Sequence, residues 1–221
     1  MRQQALGCQA ILFDLDGVLV DSMALIERIL RAWAAGHGLD GDKAVSLSHG
    51  RRDIDVVRLI APHLDAEAEA RRIVAREERD FDGLAATPGA ARLLEALPRG
   101  AWAVVTSGTR AVARGRLAAA GLPQPEHLVA ADDVQHGKPH PEGYQSGAEL
   151  LGVTPAQCVV VEDAPAGVRA ARAAGMRCVG VGDGLDTVDA LLSAHVTDLR
   201  QVHAASDLEG VRLAFTAGTP R

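Results

Sequence analysis

Five short apolar runs constrain the fold of this chain more than any other feature of its sequence. None of them shows the polar alternation of a strand with one face in water, so they are typical of strands buried on both faces of a parallel sheet. From about residue 86 onward, segments with helical periodicity separate the runs. This alternation predicts an α/β fold with a doubly wound, Rossmann-like parallel sheet. The runs are residues 8–14, 101–106, 128–131, 158–161 and 178–181.

A long helical segment separates the first run from the others. We predict that residues 18–85, called the insert below, form a small helical domain within an α/β core made of residues 1–17 and 86–221. Long insertions into surface connections are tolerated because the entropy of loop closure grows slowly with length. The stretches with helical periodicity in the insert are residues 23–37, 54–64 and 66–81. One helix predicted in the core begins at Pro88. Three others span residues 110–120, 141–151 and 164–174.

Composition excludes several classes of function. The 221 residues carry 23 basic and 29 acidic side chains, a net charge of −6, which argues against a nucleic-acid partner. The longest uncharged apolar stretch, residues 150–161, is too short to span a bilayer, so we expect no membrane partner. The N-terminus lacks the pattern of a signal peptide, and the three cysteines form no C-x-x-C motif. We therefore expect buried free thiols and a cytoplasmic protein that is a monomer or a weak dimer.

Two acidic pairs follow predicted strands. Asp14 and Asp16 end the first run and precede Gly17, and Glu162 and Asp163 end the fourth run. Because ligand sites in open parallel sheets lie outside the carboxyl ends of the strands, these acids are expected to converge on one crevice. Their mutual repulsion must be offset by a cation. Three or four carboxylates are hard oxygen ligands that suit Mg²⁺.

A hydroxyl segment and a lysine complete the candidate site. Thr106, Ser107 and Gly108 follow another run and can hold phosphate oxygens. Lys138 lies between Gly137 and a proline, and it is one of only two lysines beside 21 arginines. A lysine kept in such a chain is expected to act as a compact ammonium.

Each of these features also has a purely structural interpretation. The aspartates and Thr106 can cap helices, Lys138 can be a solvated loop residue, and residues 132–133 can form a turn. It is the occurrence of all four features, in this order and at the ends of separate strands, that favours a catalytic site.

The same residues resemble the motifs of the haloacid dehalogenase superfamily of phosphohydrolases. The matching segments are DLDGVLVDS at residues 14–22, Thr106, GKPHP around Lys138, and VVVEDAPAGVRAARAAG at residues 159–175. The resemblance covers nearly the whole chain, and it implies a phosphatase that depends on Mg²⁺. The insert resembles the helical cap of the first subclass of this family.

The resemblance also implies a role for each motif residue. Asp14 corresponds to the nucleophile that forms an aspartyl-phosphate, and Asp16 to the general acid and base. Thr106 corresponds to the phosphate-binding hydroxyl, and Lys138 to the cation that screens nucleophile and phosphate. The implied metal site comprises Asp14, the backbone carbonyl of Asp16, Glu162 and Asp163.

A second resemblance concerns the substrate. The chain is most similar to phosphatases of sugar and polyol phosphates, which implies a small phosphorylated sugar or polyol as its partner. We expect substrate contacts from His49, Gly50 and Arg51 of the insert and from Ser107 and Gly108 of the core. His49 and Arg51 can alternatively cap the helix that follows them, and Arg52 can equally lie at the surface.

Other functions share parts of this pattern. A phosphomutase of the β-phosphoglucomutase type has the same fold and motifs, and it stays an alternative. Dehalogenation does not need the acid at Asp16, because a halide leaves without a proton. Phosphonate hydrolysis in this superfamily needs a lysine in the cap, and Lys43 lies in a Gly/Asp-rich segment that resembles a solvated turn. A phospho-receiver domain is a remote alternative, because receivers place the acidic pair first and have no insert.

Overall fold

The computed structural model describes residues 5–208 and 210–216. Its strands are β1 (Ala5–Cys8), β2 (Ala10–Phe13), β3 (Val20–Asp21), β4 (Ala85–Ala86), β5 (Trp102–Val105), β6 (His127–Val129), β7 (Cys158–Glu162), β8 (Arg177–Val181), β9 (Ala194–Val196), β10 (Val202–Asp207) and β11 (Gly210–Phe215). Its α-helices are α1 (Met23–Gly36), α2 (Gly41–Ser48), α3 (Asp53–Ile60), α4 (Ala66–Glu77), α5 (Ala90–Glu95), α6 (Arg110–Ala119), α7 (Glu142–Leu150) and α8 (Pro165–Ala173).

A parallel sheet forms the centre of the core. Its strand order is β6-β5-β2-β7-β8-β9, and every neighbouring pair is parallel. One hydrophobic cluster packs on each face of this sheet, and β2 is buried along its whole length. The predicted doubly wound α/β fold is confirmed, and β9 adds a strand that the apolar runs did not indicate. The chain leaves β2 toward β5 on one side and returns to β7 on the other, which places a crevice beside the end of β2.

The first apolar run contributes to two sheets rather than one. Cys8 ends β1, which pairs with β11 in a separate antiparallel sheet of order β1-β11-β10. The exposed Gln9 separates β1 from β2, so the predicted single strand over residues 8–14 was wrong at its start. A signal for β11 was present, because Val211, Leu213 and Phe215 are buried and alternate with more exposed neighbours.

Between β3 and β4, the chain of the insert forms α1–α4 around a hydrophobic cluster of its own. Strands β3 and β4 pair with each other, so the two connections to the core run side by side. Helix α2 was not predicted; Asp40 caps it by accepting hydrogen bonds from the backbone N–H groups of Asp42 and Lys43. Lys43 therefore lies in a helix and not in a turn, and it is exposed.

The remaining sequence features also have a place in the fold. All three cysteines are free and buried, as predicted, and burial raises the pKa of Cys8 and of Cys158 to about 11. Asp132 and Asp133 have the structural role considered above, because both accept hydrogen bonds from Arg110. Among the described residues, no helix is long and apolar enough to cross a membrane.

Candidate active site

Three neighbouring strands deliver the candidate residues to one edge of the sheet. Asp14 follows β2, Thr106 follows β5, and Glu162 ends β7. All three side chains are buried, with Glu162 fully so. Each apolar strand ends at the carboxyl edge of the sheet. The polar residues that end or follow the strand in the sequence therefore lie at this edge.

Lys138 connects two of these strand ends. Its Nζ lies 2.6 Å from Oδ1 of Asp14 and 2.7 Å from Oε1 of Glu162, and it donates a third hydrogen bond of 3.2 Å to the Val105 carbonyl. The ammonium also lies 5.1 Å from the centre of the Tyr144 ring. Burial alone would lower the pKa of Lys138, but the two carboxylates raise it above its usual value. The lysine is therefore a fixed positive charge beside Asp14.

Glu162 is held by donors on every side. Besides Lys138, the Tyr144 hydroxyl donates to Oε1 over 2.8 Å. The backbone N–H groups of Asp163 and Ala164 each donate to Oε2 over 3.0 Å. This arrangement suits a carboxylate that orients Lys138.

Carboxylates that could hold a cation gather beside this lysine. Oxygens of Asp14, Glu162 and Asp163 lie within 4.8 Å of one another. Burial raises the pKa of Asp14 to about 7, in spite of Lys138, and raises that of Asp163 well above its usual value. A Cβ on Gly17 would lie 2.0 Å from Oδ2 of Asp163, so only glycine leaves room for this carboxylate. Buried acids with raised pKa values and a close backbone approach fit a divalent metal ion.

Asp16 faces a different set of partners. Ser22 Oγ lies 2.5 Å and an Arg116 guanidinium nitrogen 2.8 Å from its Oδ1. A second nitrogen of Arg116 lies 2.7 Å from Oε1 of Glu77, at the end of α4. The side chain of Asp16 therefore does not belong to the cluster of three acids described above. The buried guanidinium of Arg116 connects Asp16 to Glu77 of the insert.

One cavity brings the core acids and the insert together. Asp14, Asp16 and Asp163 line it from the core. The predicted substrate residues His49, Gly50, Arg51, Ser107 and Gly108 line it as well, with His49 exposed.

Three hydrogen bonds border this cavity, one between core and insert, one within the insert and one within the core. Ser107 Oγ donates a 2.9 Å hydrogen bond to the Gly50 carbonyl. Arg51 donates to the Leu47 carbonyl over 2.9 Å. Thr106 Oγ1 accepts a 3.1 Å hydrogen bond from the Gly108 N–H, and together with Lys138 it lines an adjoining narrow cavity.

Arg52 does not line the cavity with the acids. It precedes α3, pairs with Asp55 of that helix and donates to the carbonyls of Val134 and Gln135, in the loop that precedes Lys138. It is therefore a contact between insert and core.

Several residues of this region were not predicted from the sequence. Arg116, Glu77 and Asp53 line the same cavity as Asp14, and Tyr144 supports Glu162. Arg116 was predicted only as part of the helix over residues 110–120, and the available signal was an arginine on the otherwise apolar face of α6.

Comparison with known proteins places this site in a family. The haloacid dehalogenase-like hydrolases match residues 8–175 of the chain. The chain belongs to this family. Membership makes it a hydrolase, and the match covers β2, α1–α8 and the strand ends with Asp14, Thr106 and Asp163.

Two phosphatases of known function are similar to the chain over most of their length. Hexitol phosphatase A of Escherichia coli (strain K12) is 44% identical over 185 residues, which cover 81% of this chain and 86% of that protein. Glycerol-1-phosphate phosphohydrolase 2 of Saccharomyces cerevisiae is 34% identical over 194 residues, covering 82% and 78%.

Solved structures of the family have the same fold. A HAD family hydrolase from Deinococcus radiodurans R1, with bound phosphate and sodium, superposes with a TM-score of 0.65 at 30% identity, covering 87% of this chain and 92% of that one. β-Phosphoglucomutase from Clostridium difficile superposes with a TM-score of 0.75 at 24% identity, covering 88% and 92%.

Proposed function

We propose that the chain is a Mg²⁺-dependent phosphatase that hydrolyses phosphate monoesters of small sugars or polyols through an aspartyl-phosphate on Asp14. The observation that carries this proposal is the buried contact of Lys138 with Asp14 beside the carboxylate of Asp163. The similarity to a hexitol phosphatase and to a glycerol-1-phosphate phosphohydrolase supports the substrate class. We expect the enzyme to act in the cytoplasm as a monomer or a weak dimer.

Asp14 is the proposed nucleophile. One of its carboxylate oxygens attacks phosphorus, and the bond from phosphorus to the leaving oxygen breaks. An anionic nucleophile attacking an anionic ester needs positive charge nearby, and Lys138 supplies it at Oδ1 of Asp14. Bound Mg²⁺, held by Asp14 and Asp163 with Glu162 close by, would add further charge neutralisation. The Thr106 hydroxyl and the N–H group of Ser107 are the proposed partners of the phosphate oxygens, and the N–H group of Gly108 orients Thr106 by donating to its Oγ1.

Asp16 is the proposed general acid and base. It gives a proton to the leaving alcohol and then takes one from the water that attacks the aspartyl-phosphate. Ser22 and Arg116 both engage Oδ1, which fixes the carboxyl group and directs Oδ2 to the proton transfer.

The insert is proposed to act as a cap on the core. Its loop with His49, Gly50 and Arg51 borders the cavity that Asp14 lines, so it would contact the leaving alcohol. The hydrogen bond from Ser107 to Gly50 and the contacts of Arg52 would hold it closed and limit access of water.

The experiment is an assay of released inorganic phosphate over a panel of sugar and polyol phosphates, with MgCl₂ or with a chelator. We expect turnover that needs Mg²⁺ and that Asp14→Asn abolishes, because an amide is a poor nucleophile. Turnover near that of the wild type in Asp14→Asn would refute the assignment. Interconversion of hexose phosphates without phosphate release would instead identify a phosphomutase.

A further inference from the structure

The cavity beside the proposed nucleophile has an acidic wall, of which the proposed mechanism uses only Arg116, as a partner of Asp16. Asp53, the first residue of α3, and Glu77, the last residue of α4, line it from the insert. Arg116 of α6 lines it from the core and is 2% exposed, while Glu77 is 5% exposed. Asp53, Glu77 and Arg116 are called the acidic wall below.

The charges of the acidic wall do not balance. Arg116 pairs with Glu77 and also with Asp16, so three carboxyl groups, with Asp53, surround one guanidinium. Burial is the main cause that raises the pKa of Glu77, and it raises that of Asp53 well above the usual value. Glu77 is buried and Asp53 half-buried, and a carboxylate has more acceptor sites than one shared guanidinium fills, so both groups can accept further hydrogen bonds.

A second observation concerns Arg116 itself. Among the buried side-chain nitrogen and oxygen atoms of the described residues, Nε of Arg116 is the one without a hydrogen-bond partner. A buried, unpaired N–H is costly unless a ligand or water satisfies it. Because Nε itself is enclosed, a ligand in the cavity meets the carboxyl groups of Asp53 and Glu77, which match hydroxyl donors.

We infer that Asp53 and Glu77 determine specificity, by accepting hydrogen bonds from hydroxyl groups of a neutral polyol leaving group, and that they disfavour leaving groups that carry a carboxylate or a second phosphate. This inference rests on the proposed function and narrows its substrate class. Arg116 positions Glu77 through the contact of a terminal nitrogen with its Oε1. Arg51 is the other cation of the cavity, and one of its nitrogens is engaged by the Leu47 carbonyl.

The pairing of Arg116 supports rejection of anions. Asp53 and Glu77 line the cavity from the insert, and the terminal nitrogens of Arg116 are already paired with Asp16 and Glu77, so the acidic wall has no free cation for an anionic leaving group. A carboxylate on the leaving group would meet carboxyl groups of the acidic wall in place of a partner of opposite charge.

The competing interpretation is that Glu77 only fastens the insert to the core through Arg116. Phe81 packs nearby, since a Cβ on Gly115 of α6 would lie 2.4 Å from its ring. A fastening role would affect every substrate alike, whereas a specificity role changes the ratio between substrates.

The experiment measures kcat/KM of the full-length protein for a hexitol 6-phosphate, glycerol 1-phosphate and phosphoglycolate. We expect the wild type to prefer both polyol phosphates. In Glu77→Gln, and separately in Asp53→Asn, the ratio of kcat/KM for polyol phosphate over phosphoglycolate should fall by about tenfold to a hundredfold, the weight of a hydrogen bond to a charged group. Glu78→Gln, the exposed neighbour on the same helical turn, is the matched control and should keep the wild-type ratio.

Each outcome decides the inference. Equal losses on all three esters would assign the acidic wall to fastening and overturn the specificity role. A wild type that hydrolyses phosphoglycolate as well as the polyol phosphates would overturn the inference and leave the phosphatase function intact, whereas no phosphate release from any ester would refute the function itself. Thermal melting identifies a variant that fails to fold, and because Asp53 and Glu77 lie on different helices, the other variant then gives the answer.

Discussion

The two lysines of the chain lie in opposite surroundings. Lys43 is exposed on α2, whereas the ammonium of Lys138 is buried among Asp14, Glu162 and the Val105 carbonyl. An ammonium can direct three donors at three converging acceptors, but a planar guanidinium is larger and has its donors in one plane. We expect Lys138→Arg to lower kcat by about a hundredfold or more, because the charge beside Asp14 would be misplaced.

The measurement for Lys138→Arg is steady-state phosphate release, with Lys43→Arg as the control that makes the same exchange at an exposed site. The control should match the wild type. Full activity of Lys138→Arg would show that the geometry of the ammonium is unimportant.

Single residues of the site could be predicted where they lie next to a recognisable segment of the sequence. Asp14, Lys138 and Asp163 each follow or flank a recognisable segment, and the structure brings them together. Arg116 and Glu77 were missed because they are 39 residues apart and neither follows a strand. Their contact exists only once the insert is packed on the core, which no local pattern encodes.

Gly17, at the turn after β2, shows how an element end shapes the site. Its φ of +81° suits glycine, and its missing Cβ leaves room for Asp163. We expect Gly17→Ala to lower kcat/KM by about a hundredfold or more and to weaken Mg²⁺ binding, because the new methyl group displaces a carboxylate aimed at the metal.

Gly38→Ala separates this effect from backbone strain. Gly38 has a φ of +66° with nothing within 4 Å of the position of a Cβ. The Gly38→Ala variant should lose about 1–2 kcal/mol in its free energy of unfolding, because alanine disfavours the left-handed backbone, and it should keep the kcat of the wild type. Kinetics and Mg²⁺ titration check both variants; equal kinetic losses in the two would mean that strain, and not the displaced carboxylate, is responsible.

Among the elements, the buried strands were predictable and the short or mixed ones were not. Strands β5, β7 and β8 follow from apolar runs because both faces are covered. Strand β9 has only three residues with an exposed His195 in the middle, so its pattern is weak. Strand β1 was merged with β2 because a single exposed residue separates two apolar segments that join different sheets.

The stability of the whole molecule should depend on pH through its buried acids. Burial raises the pKa of Asp14 from its usual 3.8 to about 7 in the folded chain without metal. Between these values the folded state binds more protons than the unfolded state, so the contribution of Asp14 to the free energy of unfolding falls as pH rises. Bound Mg²⁺ needs the ionised carboxylates and offsets this loss.

We therefore expect Mg²⁺ to raise the melting temperature more at pH 8 than at pH 5.5. Melting curves with MgCl₂ or with a chelator at the two pH values measure the difference. Asp163→Asn removes one proposed ligand and should shrink the increment at pH 8. An increment of the same size at both pH values would contradict the account.

For the whole molecule, the fold class followed from the order of patterns along the chain, and the division into an insert and a core stays a prediction. The order of strands in the sheet did not, because it depends on which apolar runs become neighbours after the connecting helices have packed. The antiparallel sheet of β1, β10 and β11 joins the two ends of the described chain. Pairing over such a separation leaves only a period-2 alternation in the sequence.

The pairing of β3 with β4 has a consequence for how the insert can be exchanged. Val20 lies opposite Ala86 and Asp21 opposite Ala85, so the two crossings from the core are in register. If the segment between these residue pairs were replaced by the corresponding segment of a relative, both ends of the new segment would join the core at this paired ribbon. If the insert sets substrate preference as proposed, exchanging it at this two-stranded ribbon transfers the preference of the relative.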